Sequence, residues 1–328
     1  MNVVAAQILN RLSKAGDFLS GEELCLAFGI TRSAVWKHIC ILRKDGYEVD
    51  AVTGRGYRLS GLTGRPVEAE VAPFLTCQRF GRSMQYHGVT ASTNLLAKAL
   101  ASDGAPEGSV VVADAQTGGR GRMGRTWVSP SGVNLYFSLI LRPALPSIRI
   151  PQLTLLVAAA IHQALSSFAV DLLPLIKWPN DILVNGRKLC GVLCEMQSEA
   201  DLAHFVVIGI GINVNLSLLP SELQDSATSL FLETGCQFSR PELFASVLNH
   251  LEPLYDAWLL KEDLGFILPY LEQYSLLQSK EVTVDQLNRT VCGRVSGISR
   301  VGELKIDGAE GQTYLISSGE AHLRKGTL

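Results

Sequence analysis

The sequence has no continuous apolar run of the roughly 18 residues needed to cross a bilayer. Its opening residues, MNVVAAQILNRLSKAGDF, carry no basic stretch ahead of an apolar core, so they do not read as a secretory signal. Membrane insertion and export are set aside, and the cytoplasm is the expected compartment. A disulfide framework is missing too: seven cysteines, an odd number, lie scattered over 328 residues and fit reduced thiols. Cys190 and Cys194 stand four apart with no second cysteine or histidine cluster nearby, which suits buried side chains better than zinc ligands. Internal repeats and low-complexity tracts are absent. What remains is an ordinary globular composition, 47% hydrophobic and 18% charged, long enough for two or three domains.

Charge is unevenly spread. Residues 1–65 hold nine Lys/Arg against six Asp/Glu, net +3, and the remainder 20 against 25, net −5. A basic N-terminal module on an acidic body hints at nucleic acid. That module reads as three helices and a hairpin. Val4, Ile8 and Leu12 have helical spacing, and Ser20-Gly-Glu-Glu23 is a capping box. Thr31 can cap a third helix that stops at Gly46, with Val35, Ile39 and Leu42 facing inward. Arg32, Ser33, Trp36 and Lys37 lie on its other side, near the N-terminal end. Two short strands follow around a basic turn containing Arg55. The pattern is that of a winged helix-turn-helix, with a helical partner-binding module as the plainer alternative. An outward Trp36 flanked by Arg32 and Lys37 favours DNA, with Arg55 on phosphate.

GLTGRPVEAEV, residues 61–71, reads as a linker. Beyond it strands alternate with helices. VVADAQ, NLYFSLILR, IKWPNDILV, LCGVLCEM and FVVIGIGINVN are strand-like, and helices are expected after Pro151, around 241–260 and at 263–273. The last fifty residues read as short strands with tight turns, a small barrel-like cap.

Within this frame GGRGRMGRTW, residues 118–127, contains G-x-G-x-x-G, the spacing of a dinucleotide loop. The context denies that reading. Pro130 and Gly132 break any following helix, and no Asp or Glu occurs between Asp114 and Asp171 to hold a ribose. No Gly-Lys-Ser/Thr follows either. A strand ending in a cationic glycine loop is left, with arginine forks suited to carboxylate or phosphate. Empty, such a loop repels itself and is expected to order around an anion. Taken alone it could also be an arginine patch for nucleic acid.

The motifs Ser92–Asn94 (STN), AQTGGRGRMGRTW from Ala115, KWPNDIL from Lys177, GRKLCGVLCE from Gly186 and GIGINVN from Gly209 stand in one order behind the N-terminal module. In this set and spacing the chain resembles bifunctional biotin–protein ligases that also act as repressors of the biotin operon, over essentially its whole length. The resemblance implies three domains. Residues 1–65 form the winged helix-turn-helix. Residues 66–275 form a catalytic domain of mixed sheet, α/β and like the class II synthetases, and residues 276–328 an SH3-like small β-barrel. It implies activation of biotin by ATP with Mg²⁺ to biotinyl-5'-AMP, then transfer to a lysine of the biotin carboxyl carrier protein of acetyl-CoA carboxylase. It also implies binding of palindromic operator DNA by a homodimer formed when the adenylate is bound. A lipoate or octanoate ligase and a non-catalytic biotin-responsive regulator are the alternatives.

By the same resemblance Ser92, Thr93, Asn94 and Gln116 face the biotin ureido ring, with Arg120 in the same loop; a helix cap is the plainer reading of Ser92–Asn94. Arg120 and Arg122, with the Gly121 amide, grip carboxylate and α-phosphate. Trp127 walls the ligand or is plain core. Asp181 is the Mg²⁺ ligand or polariser, or else a turn cap, and Lys188 neutralises carboxylate and phosphate oxygens or is a surface lysine. Lys177 and Asn180 join the adenylate side, Lys177 more as a structural residue. Gly191, Gly209 and Gly211 keep strand faces flat beside the ligand, and Asn213 lies near adenine or ribose. Two positions depart from the family. Met123 stands where arginine is frequent, and SATSLF offers Ala227 or Thr228 where relatives pack an aromatic on adenine.

Overall fold

The computed structural model describes residues 3–199, 202–286 and 289–324. The chain divides into two compact units, Met1–Pro73 and Phe74–Leu328.

In the first unit α1 (Val3–Ala15), α2 (Gly21–Phe28) and α3 (Arg32–Lys44) precede a hairpin of β1 (Glu48–Val52) and β2 (Gly56–Gly61). The capping box forms as the sequence dictates. Ser20 Oγ accepts the Glu23 N–H at 3.1 Å, and Glu23 Oε2 accepts the Ser20 N–H at 2.8 Å. Gly29, left-handed at φ 63°, ends α2, and Thr31 caps α3 by accepting the Ala34 N–H at 3.2 Å. Ile8, Leu12, Leu24, Val35, Ile39 and Leu42 are buried together, whereas Trp36 is 57% exposed. The hairpin is tied to the α1–α2 connection by reciprocal backbone bonds between Leu19 and Tyr57, both 2.8 Å. A Cβ on Gly56 (φ 103°) would stand 2.0 Å from Leu19 O, so only glycine fits there. The stretch read as a plain linker holds a helical turn, α4 (Glu68–Val71). Glu70, 1% exposed, accepts from Thr63 N at 3.1 Å, Gly64 N at 2.9 Å and the Thr63 hydroxyl. A carboxylate so buried needs these donors; they close residues 63–70 on themselves, and Arg65 Nη1 donates to Asp45 O at 3.1 Å.

The second unit is built on a seven-stranded sheet in the order β3-β4-β5-β9-β8-β7-β6. Its strands are β3 (Met84–Thr90), β4 (Val110–Gln116), β5 (Leu135–Leu141), β6 (Leu175–Lys177), β7 (Asp181–Val184), β8 (Arg187–Glu199) and β9 (Leu202–Ile212). Only β3 and β4 pair in parallel, joined through α5 (Thr93–Ser102), the crossover a parallel pair requires. The remaining pairs are antiparallel, so the sheet is mixed. α6 (Gln152–Phe168) packs against α8 (Arg240–Lys261) and against short α9 (Leu268–Gln273), while short α7 (Leu230–Thr234) is tied by backbone bonds to Asn213 and Val214.

Ser147–Phe168 is long and apolar enough, at mean hydropathy 1.3, to cross a membrane, although polar side chains interrupt any continuous run. Its most apolar window is 72% buried in the protein, so it reads as a core helix. The chain closes with a five-stranded antiparallel sheet, β13-β12-β11-β10-β14, of β10 (Glu281–Asp285), β11 (Thr290–Ile298), β12 (Leu304–Asp307), β13 (Thr313–Ile316) and β14 (Glu320–Leu323). All seven cysteines are free thiols.

Candidate functional site

A cavity of about 560 Å³ opens over β8 and β9, and every residue expected to touch biotin or nucleotide lines it. Three separate groups of side chains build it.

The first is a polar floor at the start of α5. Ser92 occupies the N-cap position, yet its side chain makes no cap hydrogen bond, so the helix-cap reading does not describe it. Gln116 Oε1 accepts from Thr93 N at 2.9 Å, which turns Gln116 Nε2 toward Ser129 Oγ at 3.1 Å. Ser138 Oγ lies 2.8 Å from Thr93 Oγ1 and 2.6 Å from Asn94 Oδ1. Asn94 Nδ2 donates to Glu195 Oε2 at 2.7 Å, and Glu195 Oε1 pairs with Lys98. Burial pushes the Glu195 carboxyl up, but the Lys98 and Asn94 hydrogen bonds hold it below its ordinary value.

Next comes a glycine floor that lets large side chains lie flat. A Cβ on Gly211 would meet the Trp127 ring at 2.5 Å, one on Gly191 would meet it at 3.0 Å, and one on Gly209 would meet Asn94 Oδ1 at 2.2 Å. These strands therefore bear glycine where the indole and the amide rest on them. Trp127 is a half-buried wall, and Lys188 Nζ sits 5.5 Å from its ring centroid. The indole Nε1 is buried without a partner.

The third group is cationic. The arginine loop closes on itself through Gly121 N to Arg125 O at 2.7 Å and Trp127 N to Gly119 O at 2.9 Å. Two of its guanidiniums have partners, although the charge of Arg125 still acts against that of Arg122. Arg122 donates to Asn180 Oδ1 at 2.9 Å and to Gly319 O at 3.4 Å, and Arg125 pairs with Glu320, Nη1 to Oε1 at 2.9 Å. Burial lowers the Arg122 pKa, opposed by the charges of Asp181 and Glu320; a guanidinium remains charged regardless. Arg120 is exposed at the rim. Met123 is 76% exposed at the loop tip.

Asp181 opens β7 opposite Lys177 and Gly191. Its Oδ1 is buried, 2.7 Å from Lys188 Nζ as an ion pair but without an aligned hydrogen bond. The Trp178–Pro179 peptide bond before it is cis. Asn180 Nδ2 donates to Val192 O at 2.7 Å, fixing the amide that Arg122 binds. Asn213 donates to Thr228 O at 2.9 Å, so it braces the 226–229 segment. There Ala227 faces the cavity beside Leu216, Leu219 and Leu223, while Thr228 is buried. Among the described residues no three His, Cys, Asp or Glu side chains gather to hold a metal.

Sequence reasoning missed Ser129, Ser138, Glu195 and Glu320. Glu195 ended a motif it had singled out; the two serines lay in apolar or turn contexts, and Glu320 is 195 positions from Arg125. In the first unit Arg32, Ser33, Trp36 and Lys37 are exposed on α3. Arg32 forms an exposed ion pair with Glu22 at 3.6 Å. Arg55, on the hairpin turn, lies 3.6 Å from Asp17 and 4.3 Å over the Phe18 ring.

Known proteins match this arrangement. Residues 86–213 match the Biotin/lipoate A/B protein ligase family and residues 4–58 an HTH domain. The chain is 43% identical to the Bifunctional ligase/repressor BirA of Bacillus subtilis (strain 168) over 95% of its own length and 96% of that protein. It is 30% identical to that of Escherichia coli (strain K12), over 93% of each. Among solved structures, the biotin protein ligase from Aquifex aeolicus in complex with biotin and ATP superposes with a TM-score of 0.64 at 30% identity, covering 74% of this chain and 99% of that one. An N-terminal helix-turn-helix, a mixed-sheet ligase fold and a C-terminal sheet in one chain thus share a single source: the chain belongs to the bifunctional ligase/repressor BirA family.

Proposed function

We propose that the protein is a biotin–[acetyl-CoA-carboxylase] ligase that also represses biotin synthesis genes. In the first step the biotin carboxylate attacks the α-phosphate of ATP, forming biotinyl-5'-AMP and releasing pyrophosphate. In the second a lysine amine of the biotin carboxyl carrier protein attacks the anhydride carbonyl, losing a proton and expelling AMP. The observation that carries this reading is one cavity joining a neutral hydrogen-bonding floor to a cationic rim. Thr93, Gln116, Ser92 and Asn94 suit a small rigid polar ring. Arg122, Lys188, Arg120 and the Gly121 amide suit a carboxylate meeting a phosphate, where preplaced cations stabilise developing charge. Lipoate and octanoate have no ring able to use that floor.

Trp127, flat on Gly191 and Gly211, is our choice for the surface that packs on adenine in place of the family's missing aromatic, with Ala227 and the nearby leucines around it. Asn213, Gly209 and Asn180 shape that side, and Lys177 adds charge at its edge. Mg²⁺ fits as well. It binds through one or two carboxylates plus substrate phosphates, and the buried Asp181 Oδ1 without an aligned hydrogen bond is such a carboxylate. When bound, the ion supplies charge neutralisation at the phosphates. Lys188 is then free to turn from Asp181 to the anion.

We read the β1–β2 hairpin as the wing of a winged helix-turn-helix and the last sheet as an SH3-like barrel, with the second and third domains parting at 275/276. Arg32, Ser33, Trp36 and Lys37 face the major groove and Arg55 a phosphate. The dimer on a palindromic operator forms with biotinyl-AMP as corepressor, and the compartment is the cytoplasm.

The test is incubation with ATP, Mg²⁺ and radiolabelled biotin, with and without a carrier domain. One labelled lysine and pyrophosphate release are expected. Equal transfer of lipoate, or no adenylate, would overturn the reading.

A further inference from the structure

Glu233 lies on α7 and stands outside the cavity lining, yet its side chain is only 4% exposed. Three donors from two separate stretches of chain converge on it. Asn185 Nδ2 donates to Oε2 at 2.8 Å, Arg187 Nη2 to Oε1 at 2.7 Å, and the Thr228 hydroxyl to Oε1 as well. We propose that Glu233 is a positioning residue for adenylation: it fixes the wall that bears Lys188 and Ala227, and so the seat of the nucleotide. The proposal rests on the ligase reading above.

The β7–β8 ladder alone holds that wall weakly. The two strands are joined by the turn Asn185–Gly186, both residues left-handed at φ 49° and 77°. A bulge interrupts the pair between Ile182 and Leu183, and beyond it two pairs remain, Leu183–Lys188 and Val184–Arg187. A bulge re-aims side chains, so where Lys188 points depends on what holds the hairpin tip. Two things do. Lys188 donates its N–H to Ser226 O at 2.8 Å and accepts the Thr228 N–H at 2.9 Å, which makes residues 226–228 a short parallel neighbour of β8. The second is Glu233, which grips the tip through Asn185 and Arg187 and the 226–228 segment through Thr228.

Both gripped parts face substrate. Leu183, Gly186 and Lys188 from the hairpin, and Asp225, Ser226 and Ala227 from the segment, line the cavity. Successive strand residues point to opposite faces, so Arg187 takes the pull of Glu233 while Lys188 beside it turns inward. A carboxylate this buried costs desolvation that its donors offset, and the same donors lock the two parts of the wall together. The floor assigned to the biotin ring is built elsewhere, from Thr93, Asn94 and Gln116 with Ser129 and Ser138. Loosening the Glu233 clamp should therefore be felt by ATP and not by biotin.

The experiment is steady-state pyrophosphate release by the full-length protein and its E233A and E233Q variants, with ATP and biotin varied in turn and thermal melting to check folding. E233Q keeps the volume but offers one oxygen to three donors. We expect the KM for ATP to rise about five-fold in E233Q, the scale of one lost hydrogen bond, and at least about ten-fold in E233A. The KM for biotin should stay within about two-fold in both. If E233A does not fold, E233Q decides alone. A KM for ATP within about two-fold in E233Q would overturn the proposal. So would equal rises for both substrates, or a lower kcat with both KM values unchanged, which is what a smaller folded fraction gives. No pyrophosphate release by the unaltered protein would overturn the ligase reading with it.

Discussion

Lys188 Nζ lies 2.7 Å from Asp181 Oδ1 across the β7–β8 pair, and each of the two side chains is mostly shielded from water. In an empty cavity each charge neutralises the other. A polyanion changes the balance, because the ammonium can turn to phosphate oxygens and leave the carboxylate for a cation. The pair thus holds both groups in place before substrate arrives.

Asp181→Asn keeps the size of this side chain and removes its charge. Adenylate formation should fall by about a hundred-fold or more, the scale on which lost electrostatic stabilisation acts. Biotin affinity should stay within about three-fold, since the hydrogen bonds described for Thr93, Asn94 and Gln116 go to one another and to Ser129, Ser138 and Glu195. Pyrophosphate release and biotin titration on the same preparation measure the two. Equal losses would make Asp181 a structural residue.

Gly211→Ala tests the glycine floor. The new Cβ would meet the Trp127 ring at 2.5 Å, inside van der Waals contact, so the indole must lift. If Trp127 carries the adenine, the KM for ATP should rise at least about ten-fold while biotin binding changes little. Gly209→Ala should do the opposite, because its Cβ would meet Asn94 at 2.2 Å. Steady-state kinetics with each substrate varied separates the two effects, and matching losses in both variants would sink the assignment.

The buried ion pair between Asp114 and Arg240, at 2.9 Å, should be visible in stability against pH. Burial pushes the Asp114 carboxyl up, but Ser131 and Arg240 more than reverse this, and its pKa is lowered. A depressed carboxylate contributes stability that is present above the unfolded pKa, about 3.9, and lost as pH falls through the folded value. Asp114→Asn should therefore cost about 3–5 kcal/mol at neutral pH, the scale for a buried charge left alone. Its deficit against the unaltered protein should shrink below about pH 4. Thermal melting from pH 3 to 7 gives the difference curve; a constant deficit would contradict the linkage.

Legibility in the sequence followed the range of each interaction. Caps are local, so Ser20, Glu23 and Thr31 took their places as read, and the stripe of Val35, Ile39 and Leu42 turned inward. The candidate site was legible through the family resemblance of five motifs in one order, since the glycine-arginine loop alone left a nucleic-acid patch open. The braces were not. Ser138 sits in the apolar run LYFSLIL, where alternation gives no reason to single it out. Glu320 meets Arg125 only because the last sheet folds back on the loop, and Glu70 looked like a linker residue until Thr63 and Gly64 closed on it.

The DNA switch is the furthest-reaching expectation. One recognition helix reads only a few base pairs, too few to find an operator in a genome, so two copies are needed and the site should be a palindrome. The outer edge of β8 is available to pair them, since β7 stops pairing with it at Gly191 and no other described strand takes over. Biotinyl-adenylate is the expected trigger, because it offers phosphate and carboxyl oxygens to the arginine loop that otherwise rests on Asn180 and Glu320. Sedimentation should give a monomer alone or with biotin, and a dimer with biotin plus ATP. Operator binding should follow the dimer. Lys37→Ala and Arg55→Ala should weaken binding to all sequences and each reduce the salt slope by about one, as lost phosphate contacts do. Trp36→Ala should instead cost about 1–3 kcal/mol on the operator and little on random DNA. Equally tight operator binding in all three ligand states would end the switch and leave the ligase untouched.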